Sequence, residues 1–102
     1  MKKEVLEFHP EFCKSFSRPK RLEILCLLKE GELTVTDITK KLGASKANVS
    51  QQLSLMRMIG VLRARRKGRN TYYGIANKKI TLACGLMQDA LAQLMEGSRK
   101  GG

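Results

Sequence analysis

The chain has 102 residues and a mass of 11.4 kDa, room for one compact domain. Twenty Lys and Arg against nine Asp and Glu give a formal charge of +11, yet an apolar fraction of 42% is ordinary for a folded protein. No run approaches the ~18 apolar residues of a membrane span, Met1-Lys2-Lys3-Glu4 opens no signal-peptide core, and the cysteines at 13, 26 and 84 are too sparse for a disulfide scaffold. A cytoplasmic protein with a polyanionic partner, no membrane contact and no cofactor is expected.

The charge is unevenly distributed. From Ile38 to Gln88 there is no Asp or Glu, while eleven basic residues fall in that stretch. The remaining residues hold nine of each sign, so the whole net charge sits in one contiguous half. A solvated helix face normally mixes signs. A one-signed block repels itself without a counter-charge, and phosphate is the commonest one.

Pro10 opens a short helix over 10–16, with Phe12 and Phe16 on one face; residues 1–9 read as an arm or an earlier helical turn. Ser17 is placed to cap a second helix from about Arg18 to Glu30, with Pro19 tolerated in its first turn. Leu22, Ile24, Leu25, Cys26, Leu27 and Leu28 leave that helix apolar around much of its circumference, so it is expected at the centre of the core. Gly31 ends it. Thr34 and Asp37 resemble a capping box for a third helix reaching about Lys41, with Val35, Ile38 and Leu42 inward.

Leu42-Gly43-Ala44 forms a tight turn, and Ser45 caps a fourth helix to about Met58. Val49, Leu53 and Met56 supply its buried stripe. Its other face carries Ala47, Asn48, Gln51 and Ser54, flanked by Lys46 and Ser50. Two helices joined by so short a glycine turn read as a helix-turn-helix. Amides and small hydroxyls suit base edges, because Gln and Asn both donate and accept.

After Gly60 the period changes to that of strands. Residues 61–66 and 71–76 form a hairpin around Lys67-Gly68-Arg69-Asn70, and Arg63, Arg65, Arg66, Lys67 and Arg69 crowd it. Such a ribbon after a recognition helix is a wing for phosphate or minor-groove contact. An edge hairpin made basic to discourage edge pairing is the plainer alternative. The last helix spans about Lys78 to Glu96, and residues 97–102 read as a flexible tail. Ile80, Cys84, Met87, Leu91 and Leu94 form a seam along it, widened by Ala83, Ala90 and Met95. With few helices in the chain to cover it, this surface points to a partner subunit.

The fold class read from these elements is a mainly α domain with a two-stranded β-wing. Three stretches make it resemble the ArsR/SmtB family of prokaryotic metal- and stress-sensing repressors: Arg18-Pro19-Lys20-Arg21-Leu22-Glu23-Ile24-Leu25, Ser45-Lys46-Ala47-Asn48-Val49-Ser50-Gln51-Gln52-Leu53, and Arg65-Arg66-Lys67-Gly68-Arg69-Asn70-Thr71-Tyr72-Tyr73. The resemblance covers residues 10–96. It implies a winged helix-turn-helix homodimer, paired through its first and last helices, that binds double-stranded operator DNA and releases it on sensing an inducer. The family's recognition-helix contacts correspond to Lys46, Ala47, Ser50 and Gln51; Ser45, Asn48, Arg63, Arg65, Arg66, Lys67 and Arg69 complete the candidate DNA-binding set.

The family's sensor sites match poorly. Its thiolate site reads Glu-Leu-Cys-Val-Cys-Asp-Leu-Cys, whereas this chain has Glu32-Leu33-Thr34-Val35-Thr36-Asp37-Ile38-Thr39. Threonine cannot supply the soft thiolate that As(III), Cd(II) or Pb(II) requires. The family's zinc site uses two His and two carboxylates on the last helix, where this chain offers Asp89 and Glu96 without His; the single histidine is His9. No metal ligand is assigned. Cys26 in its Ile-Leu-Cys-Leu-Leu run resembles the thiol-based, sulfide- and redox-responsive branch, which pairs it with a cysteine in the last helix. Cys84 is in that helix, about two turns earlier than in the branch. Cys13 is a second candidate neighbour of Cys84, because the first and last helices pack together in the family. The resemblance thus implies release by thiol oxidation or persulfidation; buried structural cysteines are the plainer reading, and a metal or metalloid held by non-standard cysteines a further one.

Two other classes compete with a repressor. An enzyme needs a nucleophile with its base, or a carboxylate pair, and neither spacing occurs, so no catalytic residue is assigned. A sequence-neutral architectural or RNA-binding protein needs stacking aromatics, yet the strands hold only Tyr72 and Tyr73.

Overall fold

The computed structural model of the chain describes residues 3–8 and 10–101; His9 lies outside them. In chain order the elements are α1 (Lys3–Phe8), α2 (Pro10–Lys14), α3 (Pro19–Leu28), β1 (Leu33–Thr34), α4 (Val35–Leu42), α5 (Lys46–Met58), β2 (Leu62–Lys67), β3 (Asn70–Ile75) and α6 (Lys78–Gly101).

Helix α3 starts on Pro19, whose fixed φ suits a first turn and whose missing N–H would be unpaired there in any residue. Its N-cap is Arg18, which makes no side-chain cap bond. Ser17 does not cap it as expected, because its Oγ donates to the Lys14 carbonyl and closes α2 instead. The expected helix over 10–16 accordingly stops at Lys14, and 15–17 form a turn. Ile24, Leu25 and Leu28 are fully buried in α3. The helix packs against α4, α5, β3 and α6.

Both halves of the helix-turn-helix are capped from their own sequence. Thr34 Oγ1 accepts from the Asp37 N–H at 3.2 Å, and Ser45 Oγ accepts from the Asn48 N–H at 3.2 Å. Gly43 closes α4 at φ 63°, a left-handed turn that a side chain would strain. Ile38 from α4 and Val49, Leu53 and Met56 from α5 reach the common core.

The hairpin pairs Leu62 with Ile75 through to Lys67 with Asn70. Gly68 takes φ 62° at the first position of its two-residue turn, as a type II′ turn requires. The sheet is not two-stranded. β1 adds antiparallel to β3, with Leu33 opposite Tyr73 and Thr34 opposite Tyr72, giving the order β1-β3-β2. Two residues, the second of them the N-cap of α4, carry too little strand pattern to be read locally.

Two expectations for the last helix are corrected. α6 continues to Gly101, through most of the expected tail. Once a helix is nucleated, each added residue costs little. Its expected seam also divides between two surroundings. Ile80 and Cys84 are buried in the chain's own core and Met87 is half-buried. Leu91 and Leu94 are exposed together with Leu82, Leu86 and Met95. The apolar arc is wide enough to serve both the core and a second surface.

Leu53 is fully buried in α5 whereas Met58 is 76% exposed. Leu53→Ala is expected to lower the free energy of unfolding in urea by about 2–5 kcal/mol, and Met58→Ala to change it by no more than about 0.5 kcal/mol.

Candidate nucleic-acid interface

Helix α5 buries Val49, Leu53 and Met56, and helical periodicity turns its polar residues outward. Ala47, Asn48, Gln51 and Ser54 are exposed, Ser50 is half-buried, and the five line one shallow concavity. Ser45 and Lys46 are also exposed at its start. Ser45 Oγ accepts the cap bond, which leaves its O–H as a donor at the helix entrance. Lys46 and Ser50 share a crevice of about 220 Å³ with Thr34, Val35 and Thr36 of the preceding helix entrance and Arg69, Asn70 and Thr71 of the wing. The fold therefore brings a cation of the recognition helix to a cation of the hairpin.

The wing cations fall into two groups. Arg66, Lys67 and Arg69 are exposed and have no ion-pair partner among the described residues. Arg63 and Arg65 both pair with Glu32, a partner that nothing in the local sequence indicates. Arg65 Nη2 and Nε donate to Glu32 Oε1 at 2.8 and 3.2 Å, and Arg63 Nη2 reaches Oε2 at 3.4 Å. Arg65 also lies over the Tyr72 ring, 5.4 Å from its centroid, and Arg63 Nη1 donates to the Ile75 carbonyl. The hydrogen bond from Arg65 and the charges of both arginines hold the Glu32 carboxyl below its ordinary pKa. The pair therefore persists above the ordinary carboxylate range and is lost only as pH falls through that lowered value.

A further arginine, which like Glu32 takes no role in the sequence reading, supports α5 from behind. Arg21 is 7% exposed. Its Nε donates to Gln52 Oε1 on α5 at 3.2 Å, and its Nη1 donates to Glu11 Oε2 on α2 at 3.0 Å. A buried cation is tolerated only with such partners. Arg21 thereby links α2, α3 and α5.

At the positions of the thiolate motif, Thr34 Oγ1 caps α4 and Thr39 Oγ1 donates to the Val35 carbonyl at 2.7 Å. These hydroxyls serve the helix backbone. Of the three cysteines, Cys13 is exposed, Cys26 half-buried and Cys84 buried. Burial raises the Cys84 thiol pKa, the adjacent Cys26 raises it further, and Lys29 opposes both. Gln88 Nε2 donates to Cys26 Sγ at 2.7 Å, and Lys29 Nζ donates to Gln88 Oε1 at 2.6 Å. The structure thus brings Cys26 of α3 to Gln88, one turn along α6 from Cys84.

Residues 18–64 match the family model described as bacterial regulatory protein, arsR family. The HTH-type transcriptional regulator Rv0081 of Mycobacterium tuberculosis is 35% identical over 86 residues, 83% of this chain and 75% of that protein. Its crystal structure superposes with a TM-score of 0.80 at 31% identity, covering 95% of this chain and 98% of the other. The transcriptional repressor SdpR of Bacillus subtilis is 32% identical over 88 residues, 86% of this chain and 90% of that protein. The homodimeric winged helix-turn-helix domain of Mycobacterium bovis Mb0332, a possible ArsR-family regulator, gives a TM-score of 0.79 at 26% identity, covering 94% and 92% of the two chains.

The burial order of the cysteines fixes an order of reactivity, since the exposed thiolate is the nucleophile. In pulses of iodoacetamide followed by mass spectrometry, Cys13 is expected to be alkylated first and Cys84 last. Loss of Cys84 protection should coincide with global unfolding in urea.

Proposed function

The chain belongs to the arsR family of bacterial regulatory proteins and is a DNA-binding transcriptional repressor, and from that premise we propose that it acts as a two-fold dimer on an imperfect palindrome. The observation that carries this reading is the outward face of α5, short, amide-rich and free of acid, standing beside the exposed wing cations Arg66, Lys67 and Arg69. Lys46, Ser50 and Gln51 enter the major groove and read base edges, with Ala47 and Asn48 packed beside them. Arg66, Lys67 and Arg69 meet phosphates and set affinity without regard to sequence. Holding the duplex in this way needs no catalytic group.

The exposed apolar residues of α6 support the dimer. Leu82, Leu86, Leu94 and Met95 are each more than 60% exposed, an unusual density of large apolar side chains for a free surface. A second copy covers them together with Leu91. The two recognition helices then sit one helical turn of DNA apart, about 34 Å.

Release is assigned to Cys26 and Cys84. Oxidation by a peroxide joins the two sulfurs in one S–S bond; the thiols give up two electrons and two protons, which reduce hydrogen peroxide to two waters. The link ties α3 to α6, and α3 holds α5 through Arg21 and Gln52, so a shift at the dimer helix reaches the recognition helix. The hydrogen bond from Gln88, one turn from Cys84 on α6, to Cys26 supports this pair over one that includes the exposed Cys13.

Selection from a randomised duplex pool is expected to enrich an inverted repeat. On the enriched duplex, Gln51→Ala should cost about 1–3 kcal/mol of discrimination. Lys67→Ala should instead weaken all duplexes alike and flatten the salt dependence by about one unit for each phosphate no longer neutralised. Equal losses on enriched and random duplex for Gln51→Ala would remove the base-reading role. Leu91→Asp should yield monomers by sedimentation with little affinity for the repeat; a wild type that sediments as a monomer at micromolar concentration contradicts the dimer. Peroxide should release the wild type from the repeat and leave Cys26→Ser and Cys84→Ser bound, and equal release of all three would end the thiol assignment.

A further inference from the structure

Glu32 stands six residues before the acid-free half begins, yet it reaches into that half and engages two wing arginines. The sheet register explains how. Leu33 pairs with Tyr73, so continuing β1 back by one residue sets Glu32 opposite Gly74. Arg63 pairs with Gly74 from the other side. The three residues form one row across the sheet, with the glycine in the middle.

A Cβ on Gly74 would lie 3.1 Å from Glu32 Cγ and 3.1 Å from both Cζ and Nη2 of Arg63. Gly74 is buried and its φ is not positive, so the position supplies absence of a side chain rather than backbone freedom. The gap lets acid and base meet over the middle strand. Arg65 lies two residues along the same strand, hence on the same face, and completes the cluster with Tyr72 beneath it.

We propose that Glu32 is a positioning residue that sets DNA specificity: reaching over Gly74, it holds Arg63 and Arg65 against the body of the domain, so that the wing offers only Arg66, Lys67 and Arg69 to phosphate. The inference rests on the reading of the chain as a DNA-binding repressor. A guanidinium bound through two N–H groups to a carboxylate must give up that partner before it can bind phosphate. Every cation freed on the wing adds to binding of any duplex, because sequence-neutral affinity follows the number of phosphates neutralised. Base reading by Gln51 gains nothing from it. The pin therefore lowers affinity for random DNA and preserves the ratio between operator and background. Arg63 keeps a second anchor in the Ile75 carbonyl, so Arg65 is the side chain that loss of Glu32 releases.

The test compares full-length wild type with Glu32→Gln on a mixed-sequence duplex of about three helical turns, by fluorescence anisotropy across a range of NaCl. E32Q should bind that duplex several-fold more tightly, with the slope of log K against log salt steeper by about 0.9 for each additional phosphate neutralised, or about two units for a dimer. The inverted repeat selected by the wild type should gain less, so the specificity ratio falls. Gly74→Ala, which forces the same side chains apart while keeping the acid, should steepen the slope in the same direction. In an R63Q/R65Q background E32Q should leave the slope unchanged. An unaltered slope in E32Q overturns the proposal, as does equal steepening in the R63Q/R65Q background, which would be a general effect of charge. Uniform weakening at the wild-type slope makes Glu32 merely structural and overturns it too. A wild type that binds neither duplex removes the repressor reading itself, whereas a wild type that binds beside an unchanged E32Q removes only the pin.

Discussion

Burial of α3 is the constraint on which the other elements depend. A helix with apolar residues around most of its circumference cannot lie on a surface, so other elements must cover it. α5 covers it with Val49, Leu53 and Met56, β3 with Ile75, and α6 with Ile80 and Cys84. Each covering element thereby has one face fixed inward and its opposite face fixed outward. The amide-rich surface of α5 is outward because the stripe behind it is committed to the core. Burying that stripe is worth roughly 1.5–3 kcal/mol for each large side chain, far more than any preference of the polar residues opposite.

Charge follows the same geometry. The acid-free half from Ile38 to Gln88 contains both α5 and the wing, so the basic residues collect on the surface that the core leaves open. Two acids from outside that half, Glu11 and Glu32, bear on this surface. Glu11 neutralises Arg21, whose burial behind α5 would otherwise be costly. Glu32 engages the inner wing arginines. The exposed outer cations, Arg66, Lys67 and Arg69, lie towards the tip of the hairpin, where docking of a polyanion displaces no ion pair seen among the described residues.

The contact between α3 and α6 joins the core to the helix that carries the exposed apolar residues Leu82, Leu86, Leu91, Leu94 and Met95. Cys26, Lys29 and Gln88 form a polar contact there, with the buried Cys84 thiol beside it. Arg21, in the first turn of α3, reaches Gln52 on α5. A single ten-residue helix thus touches both α6 and α5.

The sequence by itself determined whatever depends on near neighbours along the chain. Periodicity placed the buried stripe of α5, Thr34 and Ser45 marked their caps, and Gly68 marked the hairpin turn, because each of these acts over only a few residues. The same local logic misassigned Ser17, whose hydroxyl had a nearer carbonyl to bond. Only the tertiary structure decided the pairing of Glu32 with Arg65, of Arg21 with Gln52 and of Gln88 with Cys26, which are separated by 33, 31 and 62 residues. It also decided which part of the α6 apolar arc faces the core, and that two residues before α4 pair as a strand. A pattern of residue types states which surface is apolar or charged. Which surface meets it is settled by how the chain closes around α3, and no local rule spans that distance.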